Sequence, residues 1–270
     1  MVKIPGRVNY INGDAPNPTT YYIDPPAGVP ICNVVDDPRD VLIMDARDIT
    51  EPLDLDTHGF CFVKLPTDFQ DFDDQEAIRE QLYPAMEQLT RDRLPGKSYV
   101  VASDHAVRRQ PKPGGALRGS GVLRQPLHRV HCDLTPTTAK AAVTRLMGEK
   151  AEEVLSRRFA IVNYWRPITG PLRDDPLGII DPRSVSPEDL VKVRHVYEAG
   201  DGEIFGVRYN PAHRWFYMSD MQPDDAIMFK VYDSGTDRPL VGPHTAFPLI
   251  NAPRPVPPRE SFEFRLLVVD

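Results

Sequence analysis

Apolar residues in this chain mostly fall in short runs cut by polar breaks, and only two stretches carry helical spacing. Residues 59–65, 98–102 and 158–165 have the β-branched and aromatic content of strands. From 191 to 231 strand and turn signals alternate: 191–197, a turn at 200–202, 204–209, the Asn210-Pro211 break, 214–218 and 226–232. Antiparallel strands at such spacing predict a sandwich or barrel. The last strand, 259–269, puts Arg259, Ser261, Glu263 and Arg265 on one face and Phe262, Phe264 and Leu266 on the other. That polar face suits either the solvated side of an edge strand or a fork that grips a carboxylate.

Helical spacing appears first at 73–93, with acids in the first turn and Ile78, Leu82, Met86 and Leu89 on one face. Pro84 is expected to break or kink it near Tyr83. A second helix, capped by Thr137 or Thr138, runs through Ala142, Leu146, Ala151 and Leu155, with Gly148 weakening its middle. Residues 1–40, punctuated by Pro16, Pro18, Pro25, Pro26 and Pro30, read as an extended arm wrapped on the core. The expected fold is mainly β with flanking helices, in one domain spanning residues 1–270.

Composition narrows the function classes. A net charge of −7 without long runs of one sign gives no footprint for phosphate backbones, so no nucleic-acid partner is expected. Three scattered cysteines, Cys32, Cys61 and Cys132, form neither a disulfide framework nor a zinc ribbon, which fits a reducing, cytoplasmic setting. No stretch approaches membrane-spanning length and no signal segment is apparent. A monomer or homodimer acting on a small molecule is the expectation. The 29 prolines lie between apolar stretches, which argues for loops and against disorder.

Chemistry concentrates at His131-Cys132-Asp133. In an extended strand His131 and Asp133 project to one face and Cys132 to the other. His244, in Gly242-Pro243-His244-Thr245, is the best third ligand, and two histidines with one carboxylate make the facial triad of non-heme Fe(II) oxygenases. His58 reads as a turn residue, His105 as a loop brace or a site residue, and His195 and His213 as cross-strand or surface residues. Asn163, inside an apolar strand, must find hydrogen-bond partners and is a site candidate. The basic, glycine-rich segment 108–124 is either a solvated loop or a lid carrying charge toward an anionic substrate. Lys230 and Asp233 form a surface ion pair or belong to the substrate shell. On this reading the substrate sits between segment 108–124, the strand bearing Asn163 and Trp165, and the stretch around Lys230.

Taken together, Leu53 to Phe60, Arg129 to Thr135, Asn163 to Pro167, Phe229 to Ser234, Gly242 to Phe247 and Pro258 to Arg265 resemble one family. It is the cephem-methoxylase-related, fungal secondary-metabolite hydroxylase/desaturase group of Fe(II)/2-oxoglutarate-dependent oxygenases. The resemblance covers most of the chain and implies a double-stranded β-helix, or jelly roll. It implies Fe(II) on His131, Asp133 and His244, with 2-oxoglutarate and O2 as co-substrates. It also implies an Arg259-x-Ser261 clamp for the far carboxylate of 2-oxoglutarate and a place for Asn163 near its iron-binding end. Arg254 and Arg265 are the alternative clamps. The reaction implied is oxidative decarboxylation to succinate and CO2 coupled to hydroxylation, desaturation or cyclisation of the substrate. The rival reading is a metal-binding jelly roll without 2-oxoglutarate chemistry, either an isomerase or hydrolase or a silent partner subunit. A hydrolase has no need of the arginine clamp.

Overall fold

The computed structural model describes residues 2–110, 125–235, 241–250 and 255–270. Two curled sheets form the jelly roll. The larger contains, in spatial order, β1 (Lys3–Ile11), β3 (Asp36–Asp45), β11 (Trp215–Tyr217), β8 (Leu177–Ile180), β13 (His244–Ala246), β6 (His131–Cys132), β10 (Gly200–Val207), β9 (Leu190–Tyr197) and β2 (Thr19–Tyr21). The smaller is β4 (Phe60–Lys64), β12 (Asp225–Asp233), β7 (Phe159–Pro167), β14 (Glu260–Val269) and β5 (Tyr99–Arg109). One apolar cluster joins them, with Ile179 and Phe216 of the larger sheet packed among Ile161, Phe229 and Leu267 of the smaller. A second cluster lies on the outer face of the smaller sheet, where Tyr164, Phe262 and Phe264 meet Ile78, Leu82 and Met86.

These two clusters correct the edge-strand reading of 259–269. β14 lies between β7 and β5 and is covered on both sides, so its polar face points into the protein. Burying Ser261 and Glu263 there is costly unless they have partners, which marks this face as functional.

The arm is more regular than expected. Its ends form β1 and the start of β3, paired antiparallel from Lys3↔Met44 to Ile11↔Asp36. Val8, Tyr10 and Ile43 thereby reach a core containing Trp215 and Phe247. The prolines occupy the stretch between, where β2 is only three residues long.

Around Pro84 the helix continues instead of breaking. Asp74 caps α1 (Gln75–Ala77), a π turn spans Ile78–Leu82, and α2 (Tyr83–Arg93) follows with the proline in its first turn. The π turn just before it widens the helix where the ring would otherwise clash with the preceding turn. The cap of α3 (Pro136–Met147) is Thr135, not Thr137 or Thr138, and Thr138 closes a reciprocal capping box with it. Gly148 ends α3 before a short α4 (Ala151–Leu155). Since Thr135 is two residues beyond Asp133, the cap anchors the helix directly after the ligand strand.

Candidate metal centre

β6 and β13 are neighbours, and His131 lies directly opposite His244 in the antiparallel register, so both imidazoles leave the same face. Their ring centroids are 4.5 Å apart. Asp133 returns to that face after the buried Cys132, and its Oδ1 lies 3.3 Å from Nε2 of His131 and 3.6 Å from Nε2 of His244. Both Nδ1 atoms are committed elsewhere. That of His131 is 2.8 Å from the Arg129 carbonyl oxygen, and that of His244 is 3.0 Å from the Gly242 carbonyl oxygen. Donation from Nδ1–H fixes the tautomer and leaves Nε2 free to ligate. Gly242 packs closely here: a Cβ would meet Ile179 Cδ1 at 2.7 Å, so that side chain would have to move.

One ligand atom from each of the three residues lies within 4.8 Å of the others. Ligands at roughly 2.1 Å from one ion stand about 3 Å apart when adjacent, so the observed separations fit a single first-row divalent cation.

The second oxygen of Asp133 faces the smaller sheet. Asn163 Nδ2 donates to Oδ2 at 2.9 Å, Arg265 Nη2 donates to it at 2.6 Å, and Arg265 Nε donates to Asn163 Oδ1 at 3.0 Å. The register explains the meeting, since Arg265 pairs with Asn163 across β14 and β7. Burial opposes the Asp133 charge, but Arg265 and the two histidines outweigh it and hold the carboxyl well below its usual range. Burial, with His131 alongside, pushes His244 down to about 4, which keeps that ring neutral. The set offers one carboxylate oxygen and two imidazole nitrogens, the donor types such a metal takes.

Arg259 lies on the other side of the histidines. It lines a narrow, nearly closed pocket with His131, His244, Trp165, Arg108 and Glu263. Its Nε donates to Ser261 Oγ at 3.0 Å, its Nη1 donates to the Asp175 carbonyl at 2.7 Å, and its guanidinium carbon stands 4.8 Å from the centre of the Trp165 ring. Burial, and then Arg108, pull its pKa down to about 9. Among the described residues no carboxylate forms an ion pair with it. Asp175 is held in a left-handed conformation (φ 43°) and accepts from Gln110 and His128, so the carbonyl bracing Arg259 is itself braced.

The other candidates are elsewhere. Lys230 is buried, bonded to Asp233 at 2.8 Å and to Asp56 at 3.2 Å, whereas its neighbour Phe229 packs on His244. His105 braces Tyr83 and Gln75, and His58 closes a turn with Asp54. His213 is buried between Tyr10 and Asp189, an acidic partner not foreseen from spacing. His195 is half-buried on β9, in the wall of a cleft that also holds Asp133. Of segment 108–124, Arg108 reaches the Arg259 cavity and Arg109 pairs with Glu260 and Asp73, while Lys112, Arg118 and Arg124 lie outside the described residues, as does Arg254. Glu263 and Asp175 were missed. Alternation along 259–269 already put Glu263 beside Arg259, but nothing in the sequence signals Asp175.

Comparison with known proteins gives the family of the chain. The family model described as "Oxidoreductase/YMDC permease-like domain" matches residues 8–269. The Fe(II)/2-oxoglutarate-dependent dioxygenase nvfI of Aspergillus novofumigatus (strain IBT 16806) is 32% identical over 255 residues, covering 92% of this chain and 89% of the relative. The hydroxylase/desaturase efuI of Hormonema carpetanum is 32% identical over 248 residues, covering 84% and 82%. A solved structure of the iron and alpha-ketoglutarate-dependent endoperoxidase NvfI superposes with a TM-score of 0.87 at 28% identity, over 99% of this chain and 98% of that one. The chain therefore belongs to the family of Fe(II)/2-oxoglutarate-dependent dioxygenases and hydroxylase/desaturases known from fungal secondary metabolism, enzymes that use Fe(II), 2-oxoglutarate and O2.

Proposed function

We propose that His131, Asp133 and His244 hold the Fe(II), that Arg259 with Ser261 anchors the far carboxylate of 2-oxoglutarate, and that the chain acts as one catalytic domain on a secondary-metabolite or amino-acid-derived small molecule. The observation that carries the reading is Arg259: a buried guanidinium, unpaired with any described carboxylate, in the same cavity as both histidines. A buried cation with no carboxylate in direct contact among the described residues is costly, and an incoming dianion offsets that cost. Arg265, the alternative clamp, is already engaged by Asp133 and Asn163.

Bound Fe(II), with 2-oxoglutarate and O2, supplies the oxidising power for C–H activation, leading to hydroxylation, desaturation or cyclisation. The protein's own groups do the placing. Arg129 and Gly242 carbonyls orient the two rings, Arg265 and Asn163 hold the outer oxygen of Asp133 so that the inner one faces the metal, and Trp165 stacks on Arg259. Asn163 thus acts on the carboxylate ligand, and its effect on 2-oxoglutarate passes through Asp133. The test is succinate release from 2-oxoglutarate by the Fe(II)-loaded protein in air: it is expected in the wild type and lost in His131→Ala. No succinate from a wild type that binds iron would favour a jelly roll without this chemistry.

A further inference from the structure

Resting on that reading of the metal centre, we propose that the primary substrate is a largely apolar, uncharged small molecule. It is held in the cleft between α3 and the β9–β10 hairpin, and it meets the triad on the side away from the Arg259 cavity. The cleft has a volume of about 390 Å³ and an open mouth, and Asp133 and Arg265 are among its lining residues. The two spaces share no lining residue: Asp133 borders the cleft, and His131 and His244 border the Arg259 pocket. One is small and cationic, and the other is several times larger and suited to a molecule well beyond the size of a 2-oxoacid.

The walls set the ligand class. Leu134, Ala142, Leu146, Ile161 and Leu267 give an aliphatic floor. Ile161 and Leu267 lie two residues from Asn163 and Arg265 on the same strand faces, roughly 7 Å along the strand, so a ligand seated on them lies within one side-chain step of Asp133. The charges in the cleft are matched within the protein: Asp201 pairs with Arg194, Glu203 with Lys192, and Arg265 with Asp133. Asp104 and Arg145, of opposite sign, stand exposed at the rim. A charged ligand therefore gains little, while apolar area gains the burial. His195 lines the cleft and offers a polar contact to an oxygen substituent of the ligand: its Nδ1 is 3.1 Å from the Tyr197 hydroxyl, and its Nε2 makes no hydrogen bond among the described residues. Burial pushes His195 down to about 4, so the ring offers a neutral hydrogen-bonding edge.

The test uses the uncharged fused-ring probe N-phenyl-1-naphthylamine and Mn(II) in place of iron. Mn(II) broadens the proton resonances of a probe bound near the triad. Ala141→Trp fills the cleft mouth from an exposed position on α3. Ala85→Trp does the same at the apolar groove beside α2, on the outer face of the smaller sheet. Broadening is expected in the wild type and in Ala85→Trp, and its loss is expected in Ala141→Trp. Broadening that survives Ala141→Trp, or disappears in Ala85→Trp, overturns the cleft assignment. So does a wild type that binds Mn(II), by loss of the free-ion electron paramagnetic resonance signal, yet leaves the probe sharp. A wild type that takes up no Mn(II) overturns the metal reading and the cleft assignment together.

Discussion

Two buried clusters in this protein are built from the same residue types and do opposite things. In the N-terminal core, Trp215 Nε1 donates to the Tyr10 hydroxyl at 2.9 Å, that hydroxyl donates to His213 Nδ1 at 2.9 Å, and His213 Nε2 donates to Asp189 at 3.1 Å. Asp189 also accepts from Asn210 and from the Ser186 backbone. Every polar atom of this histidine has a partner, so the cluster is closed. At His131, Asp133 and His244 each Nδ1 is spoken for and Asp133 Oδ2 is held, while two Nε2 atoms converge on the single remaining oxygen, Oδ1, at 3.3 and 3.6 Å. A histidine–aspartate pair becomes a site when its bonding is incomplete in one shared direction.

The sharpest break of this comparison replaces one histidine in each cluster. His244→Ala is expected to lower metal affinity by orders of magnitude while barely moving the apo-protein melting temperature, because an open site contributes little to folding. His213→Ala is expected to leave metal stoichiometry at one and to cost about 1–3 kcal/mol of stability, since Tyr10 and Asp189 keep their burial and lose their bonds. Metal titration and thermal unfolding of both variants check the pair, and a crossed pattern would mean the clusters have been assigned the wrong way round.

Arg259→Ala comes next in size. Removing one partner of a buried charged contact costs roughly 3–5 kcal/mol, so the apparent KM for 2-oxoglutarate should rise by two or more orders of magnitude. Arg259→Lys should recover only part, because an ammonium lacks the planar fork. If steady-state kinetics gave the large KM effect to Arg265→Ala instead, the clamp would sit on the wrong residue.

Arg265→Lys should act on the metal. Loss of a group that orients a ligand costs about 10–100-fold in metal affinity, and Fe(II) titration should find that drop with the KM for 2-oxoglutarate little changed. An unaltered Fe(II) affinity would remove Arg265 from the support of Asp133.

How much of this was legible in the sequence follows from the kind of contact involved. Alternation along a strand is local, so the shared face of His131 and Asp133 and that of Arg259, Ser261, Glu263 and Arg265 could be read directly. Strand pairing is not local. That β14 lies beside β7, bringing Arg265 to Asn163 and both to Asp133, depends on residues about a hundred positions apart. The same blindness left 259–269 open between an edge strand and a carboxylate fork, and Lys230 open between a surface pair and the substrate shell, when it is buried against Asp233 and Asp56. Asp175 was invisible because its contribution is a backbone carbonyl at a left-handed position. Pro84 misled because a π turn before it relieves the helix.

The smallest expected effect concerns acid. Burial sets the folded pKa of His213 below its ordinary 6.5, despite the opposing pull of Asp189, so the unfolded chain takes up that proton first as pH falls. The stabilisation is full above about 6.5 and shrinks as the pH drops toward the folded value. His213→Gln should flatten this part of the stability profile measured by urea unfolding, and an unchanged slope would show that other groups carry it.

The central claim is that the open cluster binds Fe(II) and 2-oxoglutarate together, with Arg259 holding the far end of the co-substrate. The most direct measurement is an anaerobic titration of the Fe(II)-loaded protein with 2-oxoglutarate, following the weak visible metal-to-ligand band of the chelate. The account predicts a band that saturates at one equivalent in the wild type, needs far more 2-oxoglutarate in Arg259→Ala, and is absent in His244→Ala. No band in the wild type, or the same saturation curve in all three proteins, would contradict it.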